Sequence, residues 1–148
     1  MTNDRTIVLT RFIKAPPETV WRCWTDPTIL PQWFGPEGYS CRTKQIDLRQ
    51  GGLWQFDMIG PDGKVWPNRH QYTLFDAPHR IEFTMFDDAD GTEHSWVVVT
   101  LVSEAGGTRL TQTMTMPTAA IRDQVVAFGA VELGQTTMAK LARFAEAL

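Results

Sequence analysis

Apolar and polar residues alternate along most of this chain, and the pattern switches to a helical repeat after Pro117. Trp54, Phe56 and Met58 alternate with Gln55 and Asp57. Ile81, Phe83 and Met85 alternate with Glu82 and Thr84, and Leu110, Gln112, Met114 and Met116 with Arg109, Thr111, Thr113 and Thr115. Period-2 patterning of this kind belongs to strands with one covered face and one wet face. Turn residues punctuate the runs at Gly51-Gly52, Pro61-Asp62-Gly63, Ala77-Pro78, Asp90-Gly91 and Gly106-Gly107, the mark of an antiparallel meander. The pattern predicts strands near 5–13, 41–48, 53–60, 65–75, 80–87, 94–103 and 108–116. The stretch Trp96–Leu101 is apolar on both faces, which leaves its orientation open.

Two segments break the β pattern. Between the first and second strands, Val20, Trp21, Trp24, Trp33 and Phe34 are set around Asp26-Pro27, which predicts two short helices that gather their rings in one place. From Thr118 to Leu148 the apolar positions fall three or four residues apart, with Val131, Met138, Leu141, Ala145 and Leu148 as the clean stripe. Gly129 and Gly134 lower helix propensity there and mark a kink or a close backbone approach. The order is strand, two short helices, six strands, long helix. A curved seven-stranded antiparallel sheet with the last helix across its concave face buries this pattern in a two-layer α+β domain, expected to span residues 1–148. A curved sheet and one helix do not fill the space between them, so an apolar pocket is expected.

Composition narrows the function classes. The 148 residues carry a net charge of −3, with no run of three basic residues, which argues against nucleic acid or an anionic membrane as a partner. No apolar run reaches the length of a membrane span. The opening MTNDRTIV lacks the pattern of a secretion signal, so the expected address is cytoplasmic, with Cys23 and Cys41 as free thiols.

The segment Ala15-Pro16, Val20-Trp21, Trp24-Thr25-Asp26-Pro27, Trp33-Phe34-Gly35-Pro36 resembles the N-terminal signature of the activator-of-heat-shock-protein-90-ATPase-like family, of the START-like, helix-grip superfamily. Asp47–Gly52 with Trp54 and Phe56, Gly60–Lys64, Ala77–Ile81, Gly107–Thr111 and Met138–Leu141 are similar to its later motifs, in the same order. The chain departs from the pattern at His70, where members often have Gly, and at Gly134-Gln135, where they often have Trp. The resemblance implies a helix-grip fold and a cavity between sheet and helix. It implies no particular reaction, because the superfamily includes carriers, cyclases and chaperone regulators.

The residues offer little catalytic chemistry. None of the serines sits in a nucleophile elbow. His70, His79 and His94 have no zinc spacing, and the acidic run 87–93 lacks the full calcium-loop pattern, so no metal and no cofactor are expected. What remains is a set of polar residues on apolar faces: His70 with Tyr72, Gln112 with Leu110 and Met114, and Glu132 on the helix near Phe128. These either pair among themselves, reach solvent at a pocket mouth, or orient a ligand. Trp54, Phe56, Met58, Tyr72, Phe83, Met85, Met114 and Phe128 are read as the apolar lining, with His70, Gln112 and Glu132 as its polar groups.

The expected function is binding of a small apolar or aromatic molecule. A cyclase- or isomerase-like enzyme using acid–base groups of the same cavity is one alternative, and a chaperone-associated module acting through its surface is another. Both a monomer and a homodimer are compatible with the sequence.

Overall fold

Seven strands make one antiparallel sheet in the computed structural model, which describes residues 4–148. They are β1 (Thr6–Ile13), β2 (Ser40–Ile46), β3 (Leu53–Ile59), β4 (Val65–Asp76), β5 (Arg80–Asp87), β6 (Glu93–Glu104) and β7 (Gly107–Thr115). Their order across the sheet is β1-β7-β6-β5-β4-β3-β2. Strands β2 to β7 therefore follow one another as hairpins, and β1 closes onto β7, with Leu9 opposite Gln112. Each predicted strand is present, its ends shifted by a residue or two. The expected domain span of 1–148 includes residues 1–3, which lie outside the described residues.

The ambiguous stretch in β6 is settled by its neighbours. Ser95, Val97, Val99 and Leu101 turn inward and are buried, while Trp96 and Val102 face out. Val97 lies between Phe83 of β5 and Met114 of β7, so the inward row is continuous across the sheet.

Two short helices, α1 (Pro17–Thr25) and α2 (Leu30–Trp33), follow β1. Pro17 opens α1, where its missing N–H costs nothing. Asp26 ends it and makes the turn into α2. One carboxylate oxygen of Asp26 accepts from the amide and the hydroxyl of Thr28 at 2.8 and 2.7 Å. Those bonds hold the Asp26 carboxyl below its usual range. The turn aims Trp24 and Trp33 at each other edge to face, centroids 4.9 Å apart, and Trp33 Nε1 donates to the Cys23 carbonyl. Trp24, Trp33, Val20 and Leu30 are buried against the sheet.

The C-terminal segment, read as one helix, is two: α3 (Ala119–Phe128) and α4 (Ala130–Ala147). Thr118 caps α3 by accepting from the Ile121 amide. Gly129 breaks the helix in the left-handed conformation at φ 100°, which glycine adopts without the Cβ penalty. Gly134, the second glycine, stays helical. The two pieces pack differently. Helix α4 buries Thr137, Met138, Leu141, Ala142 and Ala145, against β1, α1 and α2. Helix α3 has no fully buried residue and lies over β1 and the start of α4. Among the described residues no helix is long and apolar enough to cross a membrane.

Candidate functional site

The concave layer is divided along its length into a filled half and an open half. Phe34, at the end of α2, stands over the filled half. Its ring lies 5.4 Å from Trp54, 6.0 Å from Phe56 and 5.1 Å from His70, edge to face in each case. His70 stacks on Phe83 at 4.7 Å, and Tyr72 lies 5.3 Å from the same ring. Trp54, Phe56, His70 and Tyr72 are therefore packed core and do not line open space. The sequence reading set them on the cavity wall. They do face the concave side, but Phe34 at the end of α2 covers Trp54, Phe56 and His70, and Tyr72 is enclosed by His70, Phe75 and Phe83.

The open half holds a cavity of about 310 Å³ between the sheet, α3 and α4. Met58, Phe83, Met85, Gln112, Met114 and Phe128, all expected on the wall, line it. Leu9, Phe34, Val125, Leu133, Gly134 and Met138 complete its apolar surface, and Asn68 and Thr137 add polar atoms. Leu9 and Val125 are not among the expected wall residues: period alone does not show that β1 pairs with β7 and sets Leu9 beside Gln112, and Val125 is outside the clean apolar stripe of the helical segment. Gly134, marked as a close backbone approach, is one: a β-carbon there would stand 2.6 Å from Leu9 Cδ1.

Gln112 is the polar feature of the inner wall. It sits on β7 between Leu9 of β1 and Val99 of β6. Its Oε1 is buried and has no hydrogen-bond partner among the described residues. Leaving such an acceptor unpaired costs about 1–3 kcal/mol. A hydrogen-bond donor placed in the cavity would recover that cost.

The remaining polar candidates do not join Gln112. Burial in the ring cluster lowers the His70 pKa from 6.5 to about 3, so the imidazole is neutral. Its Nε2 is buried without a partner. Burial pushes the Tyr72 phenol well above its ordinary range. Glu132 projects into solvent near the Gly129 break, and it is not on the cavity wall. His70 and Glu132 thus do not face each other, and the proton-transfer pair considered from sequence is not assembled. Glu132 lies on the outward side of the first turn of α4, while Ala130, Leu133 and Gly134 of the same turn line the cavity.

The thiols are equally unreactive. Cys23 and Cys41 are free, and burial pushes their pKa values to about 11 and about 12. Among the described residues no group of three His, Cys, Asp or Glu side chains is placed to hold a metal ion.

The loop between α2 and β2 forms one lip of the cavity through Gly35 and Pro36. Lys140 of α4 fixes it by donating from Nζ to the carbonyls of Gly35, Pro36 and Tyr39, at 3.1, 3.3 and 3.4 Å. Arg143 adds an ion pair to Glu37 at 2.9 Å, and the Glu37 amide donates to Thr136 Oγ1. The lip is thereby tied to the same helix that floors the cavity.

A curved antiparallel sheet gripping a C-terminal helix, with two short helices plugging one end, is the helix-grip fold of the START-like superfamily. The chain belongs to the Activator of Hsp90 ATPase homolog 1-like family, whose model matches residues 14–146. It is similar to a crystal structure of a Mycobacterium smegmatis protein, with 29% identity, a TM-score of 0.86, and coverage of 97% of this chain and 92% of that one. A solution structure of an AHSA1-like protein from Aeromonas hydrophila matches at 27% identity and a TM-score of 0.73, covering 96% and 92% of the two chains. A Nitrosomonas europaea protein matches at 25% identity and 0.84, covering 99% and 97%. No curated protein matches this sequence.

Proposed function

We propose that this protein binds a small, largely apolar molecule carrying one hydrogen-bond donor in the cavity between the sheet, α3 and α4. The observation that carries the reading is the pairing of a methionine-rich apolar wall with the single orphaned acceptor Gln112 Oε1. Binding sites of this kind are mostly apolar with a few polar groups that set orientation. Met58, Met85, Met114 and Met138 adapt to irregular shapes, which suits a range of ligands of one class. Binding in place of catalysis is supported by the neutral, enclosed His70, the solvent-facing Glu132 and the protonated thiols.

A thermal-shift screen of fatty alcohols, fatty acids, sterols and aromatic metabolites tests this. Ligands that bind the folded state raise the Tm by mass action. Alcohols should raise it in the natural protein and lose that effect in Met114→Trp, whose indole fills the cavity. Gln112→Leu should weaken alcohols while sparing hydrocarbons of the same length. An unchanged Tm across the whole panel would overturn the reading.

A further inference from the structure

The cavity opens outward between α3 and the β4 hairpin into a second compartment of about 210 Å³, which shares Pro36, Met58, Asn68, Phe128 and Leu133 with the first. The residues that belong to one compartment alone differ in kind. Inside they are mostly thioether and aliphatic, with Met85, Met114, Met138, Leu9 and Val125 beside Phe34 and Phe83. Outside they are Tyr39, Trp66 and Pro67 with the polar Asp87 and His94. Phe128 is 69% exposed, an unusual setting for a phenyl ring, and it stands where the compartments meet. Trp66 is held in place by Lys64, whose Nζ lies 4.0 Å from the ring centroid.

We propose that the outer compartment is a subsite for a planar aromatic ring, so that the ligand has two parts: an aliphatic body inside and an aromatic ring outside. This rests on the inner cavity being a binding site. Three arguments support the ring. Rigid aromatic walls lose little entropy on contact and reward a flat partner through offset or edge-to-face packing. Of the polar side chains at this rim, Asn68, Asp87 and His94, two are engaged locally: Asn68 Nδ2 donates to the Trp66 carbonyl at 2.8 Å and Asp87 Oδ1 accepts from the Ala89 amide at 2.8 Å. Phe128 and Trp66 leave apolar ring surface exposed at this rim.

The test compares three probes by calorimetric titration: phenylhexanol, its cyclohexyl analogue, and dodecanol. The first two share chain and hydroxyl; the saturated ring is bulkier and more hydrophobic, so tighter binding of the phenyl compound reports planarity and π-face rather than hydrophobicity. On the natural protein phenylhexanol should bind about three- to tenfold more tightly than the cyclohexyl compound. On Trp66→Ala and on Phe128→Ala the two affinities should converge. Equal affinities on the natural protein, or a preference that survives in both variants, would overturn the aromatic subsite. If dodecanol still binds in that case, and Met114→Trp abolishes it, the inner cavity stands and only the subsite falls. If none of the three binds the natural protein, both readings fall together.

Discussion

The bare α-carbon of Gly134 and the side chain of Leu9 touch across the gap between α4 and β1, and their contact sets how closely the helix approaches the cavity wall. Alanine at Gly134 gains helix propensity, about 1 kcal/mol. It also pushes Leu9, whose tip has the cavity to move into. Gly134→Ala should therefore keep stability within about 1 kcal/mol of the natural protein by urea unfolding, and lower affinity for any cavity ligand. A loss of stability beyond that with affinity intact would show that Leu9 cannot yield.

Trp24 supports the filled half. It is buried and contacts the rings of Trp33, Phe34 and Phe83. Trp24→Ala should cost about 3–5 kcal/mol as a core truncation, read as a lower urea midpoint. A cost under about 1 kcal/mol would mean that the neighbouring rings collapse into the space.

His70 makes stability depend on pH. Its folded pKa is depressed to about 3, against 6.5 for the free side chain, so the unfolded state binds the proton first. Stability is unaffected above about pH 6.5 and falls as the pH drops from there towards about 3. The limiting slope is about 1.4 kcal/mol per pH unit. Unfolding free energies measured across this window should decline less steeply in His70→Phe. Parallel curves for the two proteins would assign the acid sensitivity elsewhere.

Lys140 is the clasp of the cavity lip. Lys140→Met keeps the aliphatic stem and removes the ammonium that three carbonyls share. Hydrogen bonds from a charged donor are worth about 1.5–3 kcal/mol. Amide exchange should quicken at Glu37 and Tyr39, and a cavity ligand should dissociate faster. Unchanged exchange there would show that Arg143 and Thr136 hold the loop unaided.

The strand pattern was readable because each hairpin is bounded by Gly or Pro and most inward rows alternate, with register shifts at Thr43/Gln45, Tyr72/Leu74 and Met85/Phe86. Face is a local property: Trp54 and Met58 share one by period alone. How far along that face α2 extends is not local. Phe34 covers Trp54, Phe56 and His70 and leaves Met58 open, and nothing in the period of β3 encodes where its shadow ends. The helix break shows the same limit. Gly129 and Gly134 look alike in sequence, yet one turns left-handed and the other sits against Leu9. The difference comes from what each faces, and it decides that Phe128 and Glu132 lie at the surface.

The plug formed by Phe34 has a consequence for how such a protein changes over time. It completes the ring cluster from within the chain, so the fold does not wait for a guest molecule to finish it. Phe34 and Phe83 belong to both the plugged end and the open end, so substitutions beside them should couple, while those at Val125 or Phe128, away from these rings, should add to changes in the ring cluster. Drift at Met85, Met114, Val125 or Phe128 alters what the protein can hold while the fold is kept by residues elsewhere. A lineage built on this frame is free to reshape the cavity without first having to rebuild its architecture.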